Sequence, residues 1–259
     1  MADRNLAGAG VLVTRPEQQA AELCSAIQSC GGAAILFPVI RIVPRNENEI
    51  RKDAREQGRP DISIFVSGNA VRYGIGHVGE ELLGAVGPAT ANAIRAAGRD
   101  VGVLPADGFD SEHLLAAREL CEVAGKTIRI VRGGRGRELL ATTLRERGAT
   151  VSYLDVYERA APRYSERELE QLEAQWRSGD IDVVTVMSVE SLQNLIRILP
   201  AWCKEALAST PLVTPAKRVI KEAGKRIPGI PTMLADGPQA RSMLDAILAC
   251  IETRPGKTS

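Results

Sequence analysis

The chain has 259 residues, 44% of them hydrophobic and 25% charged, with a formal net charge of +1. That length holds one large or two ordinary domains, and the composition is that of a globular protein. The near-neutral balance lacks the basic excess that nucleic acid or an anionic membrane surface demands, so an anionic ligand must be held by local groups.

The first predicted strand is residues 11–13, followed by the turn Thr14-Arg15-Pro16, with proline preorganised for the first helical position. Ala20, Leu23, Cys24 and Ile27 then recur at helical spacing. After Gly32 a long extended run, residues 35–44, leads to a polar, charge-rich helix over 47–57, and Gly58-Arg59-Pro60 ends it. Residues 62–66 read as a buried strand, and Ser67-Gly68-Asn69 caps the next helix. A strand near 83–86 meets Gly87-Pro88-Ala89-Thr90 and another helix. Residues 101–104 predict a further strand and 111–121 a further helix. This alternation is the signature of a parallel sheet covered on both faces.

Residues 128–162 reproduce the opening in the same order: a strand over 128–131, the turn Arg132-Gly133-Gly134, and a helix with Leu139, Leu140 and Leu144 on one face. Gly148 stands at the position of a left-handed cap, and VSYLDVYERAAP follows as an unusually long extended run. The chain therefore carries an internal repeat, in which Gly32 is equated with Gly148 and Ile35 with Val151. DISIFVSGNAV at residue 61 aligns without a gap on DVVTVMSVESL at 182, and AVGPATANAIRAAG echoes LVTPAKRVIKEAG. Beyond Pro162, Ser165 and Glu168 form a capping box before Leu169, Leu172 and Trp176. A strand over 181–187, a helix headed by Ser188, a strand at 212–213 turning at Thr214-Pro215, a strand at 232–234 and a C-terminal helix complete the pattern. The tail after Thr253 is expected to be disordered.

The recurring motif is a strand ending in Thr, Ser or Gly that turns into a helix. In a parallel sheet such turns share the carboxyl edge, where open α/β sheets bind ligands. Each helix start offers unpaired N–H groups and partial positive charge, a receptor for carboxylates or phosphates. Plain N-capping explains any one of them alone, but not their recurrence in both halves. Arg15 and Arg132 occupy equivalent turns, where each is either a bidentate carboxylate ligand or a solvated surface arginine. RGGRGR lacks the Gly-Lys-Ser/Thr ending of a nucleotide loop, and it is too short and too embedded for an RNA-binding segment. Alternation places Tyr157 on the face opposite Val156, where its phenol either donates into a cleft or packs across a ladder.

Five cysteines, an odd number, fit reduced thiols. His77 and His113 without a Cys-x-x-Cys spacing argue against a transition metal. With no basic-then-apolar leader and no run of membrane-spanning length, the expected place is the cytoplasm. No Ser-His-Asp, Cys-His or paired-carboxylate arrangement supports a covalent nucleophile.

Taken in order, VLVTRPEQQAAEL with FPVIRIVP, IFVSGNAV, AVGPATANAIRAAG, RGGRGRELL with GATVSYLDVYERAAP, VMSVESLQNL and LVTPAKRVIKEAG resemble the uroporphyrinogen-III synthase family over nearly the whole chain. The resemblance implies two flavodoxin-like α/β domains, residues 1–40 with 160–259 and residues 45–153, joined by a two-stranded ladder of about 37–44 and 153–160. It implies cyclisation of hydroxymethylbilane to uroporphyrinogen III, with loss of water and inversion of the last pyrrole ring. Tyr157 matches the tyrosine the family places in its cleft. Arg15, Ser67, Gly68, Asn69, Gly87, Thr90, Arg132, Gly133, Ser188 and Thr214 would hold substrate carboxylates. The same resemblance implies no cofactor. Composition and residue types already argue against a metal, nucleic acid or a membrane. No obligate interface is suggested, so a monomer is expected, and a transient contact with hydroxymethylbilane synthase is a further expectation. The competing reading is a non-catalytic two-domain binding protein for a polyanionic small molecule.

Overall fold

The computed structural model describes residues 5–108, 111–134 and 138–253. Its strands are β1 (Gly10–Val13), β2 (Ala33–Leu36), β3 (Arg41–Pro44), β4 (Ile62–Phe65), β5 (Leu82–Ala85), β6 (Thr127–Gly133), β7 (Thr150–Ala160), β8 (Val183–Thr185), β9 (Leu212–Thr214) and β10 (Thr232–Leu234). The helices of the first half are α1 (Ala21–Ser29), α2 (Glu47–Glu56), α3 (Gly68–Gly74), α4 (Pro88–Ala96), α5 (Ser111–Leu114) and α6 (Arg118–Cys121). Those of the second are α7 (Leu139–Glu146), α8 (Glu166–Arg177), α9 (Val189–Ile198), α10 (Ala201–Ser209), α11 (Lys217–Arg226) and α12 (Ala240–Glu252). None of these is long and apolar enough to cross a membrane.

The chain divides into two compact units, residues 1–41 with 160–259 and residues 42–159. Unit 1 holds the sheet β10-β9-β8-β1-β2, and unit 2 the sheet β3-β7-β6-β4-β5. From β10 through β2, and from β7 through β5, every neighbouring pair is parallel. β1 and β4 are buried at every residue, as continuous apolar runs in a sheet covered on both faces must be. In unit 1, Val11, Val13 and Val183 pack against Leu23 and Ile27 of α1 and Met243 and Ile247 of α12. In unit 2, Ile62, Ile64, Ile128 and Ile130 pack against Leu114, Leu120, Leu140 and Leu144.

The two sheets share one spatial plan. β6, β7, β4 and β5 of unit 2 occupy the places that β1, β2, β8 and β9 occupy in unit 1. The left-handed residues ending α1 and α7 are Gly31 (φ 72) and Gly148 (φ 86), each sixteen residues after its arginine, Arg15 or Arg132. The sequence equation of Gly32 with Gly148 is therefore one residue late. Strand register agrees, since Ala34 faces Val11 as Val151 faces Ile128.

Three expected elements are altered. The first extended run is broken: β2 and β3 belong to different sheets, and residues 37–40 between them form no strand. The strand expected at 101–104 is reduced to a single bridge, Val103 to Gly84. The helix expected at 111–121 is two short pieces, α5 and α6. α10 had no clear signal, because its apolar residues show little helical bias to one side; Cys203 and Leu207 are nonetheless buried. The expectation for the tail after Thr253 lies outside the described residues.

Side-chain polar bonds fix unit 1 at a few points. Ser165 and Glu168 form the expected capping box at α8. Farther along α8, the buried Trp176 indole donates to Thr210 Oγ1 at 3.0 Å, and that hydroxyl in turn donates to Ala206 at 2.8 Å. Tyr164 stacks on Phe37 with ring centroids 4.3 Å apart and donates to the Pro38 carbonyl at 2.7 Å.

Thr210→Val leaves the indole N–H buried and unpaired, and the expected loss of stability is about 1–3 kcal/mol. It is read as a lower urea midpoint with Trp176 and Trp202 as fluorophores; an unchanged midpoint refutes it. Burial pushes the Tyr164 phenol up to about 12, with Glu168 and Glu17 adding to the shift. Because its folded value lies above its unfolded one, its contribution to stability is complete below the ordinary phenol pKa of about 10 and lost as pH rises towards 12. Burial raises the Tyr153 phenol as well, so alkaline ultraviolet titration should show late phenol ionisation whose amplitude near pH 12 falls by one tyrosine in Tyr164→Phe; an unchanged late amplitude in that variant rules the assignment out.

Candidate functional site

Parallel pairing brings the β-to-α turns of each unit to a single edge. In unit 2 the strands β7, β6 and β4 are neighbours, and their carboxyl ends carry Tyr157, Arg132 with Gly133, and Ser67. Connections leave β6 and β4 in opposite directions along the sheet, towards β7 and β5. That is the switch point where open α/β sheets form their crevice. Unit 1 has the same arrangement, with Arg15 after β1, Ser188 after β8 and Thr214 at the end of β9.

Ser67 is the N-cap of α3, with extended backbone, and its hydroxyl accepts from the Ala70 N–H at 3.1 Å. The Tyr157 hydroxyl lies 3.2 Å from the same Ser67 Oγ. The Tyr157 ring rests on Gly133, where an added Cβ would stand 2.0 Å from a ring carbon. Only glycine permits that approach. A register shift in the β6–β7 ladder produces it: Arg132 faces Asp155, but Gly133 faces Tyr157, passing over Val156. Alternation through Val156 therefore fails, and both residues are buried, Val156 at 0% and Tyr157 at 5% exposure. Tyr73, tilted at 52° with its centroid 6.1 Å away, completes the ring's surroundings.

The other candidates in unit 2 differ in what they can do. Gly68 is exposed and Asn69 half-buried at the start of α3. Gly87 is the N-cap of α4 with no side-chain bond, so that helix start presents backbone alone. Thr90 is not a cap: it lies inside the first turn, only 6% exposed. Arg132 meets carboxylates as its type suggests, but they belong to this chain. Its Nε donates to Asp155 at 2.9 Å and its Nη1 to Glu138 at 3.2 Å, with the guanidinium 3.5 Å above the Tyr153 ring centroid. Burial pulls the Arg132 pKa down, but its bonds to Asp155 and Glu138 outweigh that and leave it raised. Tyr153 also donates to Glu138, whose carboxyl is held low by Tyr153 and then by Arg132. Arg135 and Gly136 of the glycine turn lie outside the described residues.

In unit 1, Ser188 is the N-cap of α9; its hydroxyl accepts from Ser191 N at 3.1 Å and lies 2.9 Å from Ser191 Oγ. Thr214 departs from expectation. It is fully buried at the end of β9, accepts from Ala216 N at 3.3 Å, and leaves the N-cap of α11 to Ala216. The turn at Arg15 also differs, since a 3₁₀ turn (Glu17–Gln19) stands between it and α1. Arg15 Nη2 donates to the Pro238 carbonyl at 2.6 Å, while its buried Nε has no protein partner. Burial lowers the Arg15 pKa, with Glu22 and Cys24 opposing. Below it, Thr14 donates to the Thr185 carbonyl at 2.6 Å and Thr185 to the Leu12 carbonyl at 3.2 Å, stitching β1 to β8 at the switch point. Sequence reasoning read Thr14 only as the start of a turn and passed over Thr185 as an ordinary strand residue, although a buried hydroxyl needs a partner. No group of three or more His, Cys, Asp and Glu among the described residues is arranged to hold a metal.

The family model for uroporphyrinogen-III synthase HemD matches residues 21–245. The uroporphyrinogen-III synthase of Escherichia coli K12 is 31% identical over 204 residues, 75% of this chain and 82% of that protein. That of Salmonella typhimurium LT2 is 32% identical over 205 residues, with 75% and 82% covered. Among solved structures, a mutant uroporphyrinogen III synthase from the extremely thermophilic bacterium Thermus thermophilus superposes with a TM-score of 0.62 at 20% identity, covering 95% of this chain and 100% of that one. Uroporphyrinogen-III synthetase from Helicobacter pylori 26695 gives 0.63 at 12% identity over 93% and 99%. The two structures establish likeness of fold; the family model and the two relatives place this chain in the uroporphyrinogen-III synthase family.

Proposed function

We propose that this chain cyclises hydroxymethylbilane to uroporphyrinogen III, with Tyr157 assisting departure of the hydroxyl group and the helix starts at the sheet edges holding the carboxylates. The observation that carries the roles is the Tyr157–Ser67–Ala70 sequence of hydrogen bonds. Ser67 Oγ accepts from Ala70 N, so its single proton is available to the Tyr157 oxygen. With the phenol oxygen accepting, the phenol proton points onward to a leaving hydroxyl. The helix start polarises the whole sequence in that direction.

The reaction removes one hydroxyl and one proton as water, and a ring carbon of the last pyrrole takes the vacated carbon. Direct closure gives the uninverted ring, so the enzyme's work is to fold the substrate until the spiro intermediate forms in its place. Backbone N–H groups at Gly68, Asn69 and the start of α4 suit carboxylates, as do Ser188 and Arg15, whose Nε is without a protein partner. Thr90 and Thr214, being buried, act through the backbone around them. Arg132 serves by fixing Asp155 and the β6–β7 edge on which Tyr157 sits. The shared strand plan supports reading the two units as flavodoxin-type copies, with β3 and β7 as the segments along which the chain passes between them.

Tyr157→Phe removes one hydrogen bond at the leaving group, and about tenfold slower turnover is expected, with more of the uninverted isomer. The product isomers are separated after supplying hydroxymethylbilane; unchanged rate and isomer ratio would falsify the role. Ser188→Ala should raise KM more than it lowers kcat, alongside a cap loss of about 1 kcal/mol. If kcat falls with KM unchanged, a holding role for Ser188 is wrong.

A further inference from the structure

At the opposite, amino-terminal edge of the unit 2 sheet, a cavity of about 470 Å³ opens among Arg51, Arg55, Arg59, His77, Glu81 and Arg129. Its volume lies within the range of small-molecule sites. Arg51 and Arg55 come from α2, Arg59 from the segment entering β4, and His77 from the segment entering β5. Arg129 comes from inside β6, between Ser63 and Ser152 of the flanking strands. Ala54, Pro60 and Val78 give the same cavity an apolar wall.

Arg129 is the unusual member. It is only 3% exposed, a charged residue in the middle of a strand whose neighbouring side chains are Ile128, Ile130 and Val131. A guanidinium has five N–H donors. Nε donates to Gln57 at 3.1 Å, and Nη2 donates to the Ala54 carbonyl at 3.0 Å and the Gly58 carbonyl at 2.6 Å. Those bonds close the carboxyl end of α2 and leave Nη1 with both its donors unspent. The carboxylate sharing the cavity, Glu81, accepts the Ser63 hydroxyl at 2.8 Å. Burial accordingly pulls the Arg129 pKa down, with Glu81 only partly restoring it. An enclosed cation without an ion-pair partner is costly.

The surrounding charge has the same sign. Arg51 is paired with Glu47 at 2.7 Å, whereas Arg55 and Arg59 are exposed on the rim. Burial lowers the His77 pKa, with Glu47 opposing and Arg51 adding to the fall. The cavity thus has one fixed guanidinium at its floor, exposed ones at its mouth and a single carboxylate in its lining. Capping of α2 accounts for three donors of Arg129 but not for the arginines gathered over the other two.

We propose that this cavity binds a small organic polyanion, one phosphate or carboxylate group seated on Nη1 of Arg129 and others on Arg55 and Arg59, its carbon body against Pro60 and Val78. Arginine forks suit either oxyanion, and the two are separated by experiment. The site is distinct from the carboxyl-edge turns, and its test does not need turnover.

The full chain is titrated calorimetrically at low salt with pyrophosphate and, separately, with benzene-1,2,3-tricarboxylate. One equivalent of at least one probe should bind saturably, and the tighter of the two names the oxyanion. Arg55→Gln combined with Arg59→Gln, both exposed and remote from the core, should weaken that binding about tenfold or more. Tyr157→Phe should leave it unchanged. Saturable binding of neither probe, or undiminished binding in the double variant, overturns the proposal.

Discussion

A parallel strand cannot be followed by its neighbour through a tight turn; it must be followed by a crossover, and the crossover here is a helix. That constraint sends every β-to-α turn in a unit to the same edge. Ser67, Gly87 and Gly133 therefore converge in one unit, and Arg15, Ser188 and Thr214 in the other, although up to 199 residues of chain separate the members of a set. Helix starts bring their free N–H groups with them. A row of weak anion receptors is thus a consequence of topology before any side chain is chosen.

What side chains add is orientation. Tyr157 reaches Ser67 because the β6–β7 register slips at Gly133 and because Gly133 has no Cβ to hold the ring away. Arg132, one residue earlier, is tied to Asp155 and Glu138 and braces that ladder. The edge that a ligand would meet is therefore stiffened by an internal ion-pair network, and the phenol is directed by a helix cap. Positional control of this kind suits a reaction whose difficulty lies in which of two rings is formed.

The two edges of the unit 2 sheet use positive charge differently. At the carboxyl edge the charge is distributed over backbone N–H groups and Arg132 is neutralised by its neighbours. At the amino edge it is concentrated on whole guanidinium groups, with Arg129 sunk into the sheet and held by carbonyl and amide oxygens.

The alternation of strands and helices, the Ser67, Ser165 and Ser188 caps, and the long β7 strand were legible in the chain because each depends on residues a few positions apart. The repeated order of motifs likewise pointed to one plan used twice and to the family. Tertiary structure alone decided that residues 35–44 divide between two sheets, that Thr90 and Thr214 are buried, and that Tyr157 lies beside Ser67 and not opposite Val156. The same holds for Arg129, whose place in an apolar strand was visible but whose unspent donors were not. These features rest on contacts between residues distant in the chain, such as Gly133 with Tyr157, 24 positions apart, and Ser67 with Tyr157, 90 apart. Local periodicity carries no information about a register slip or about which distant carbonyl a buried donor finds.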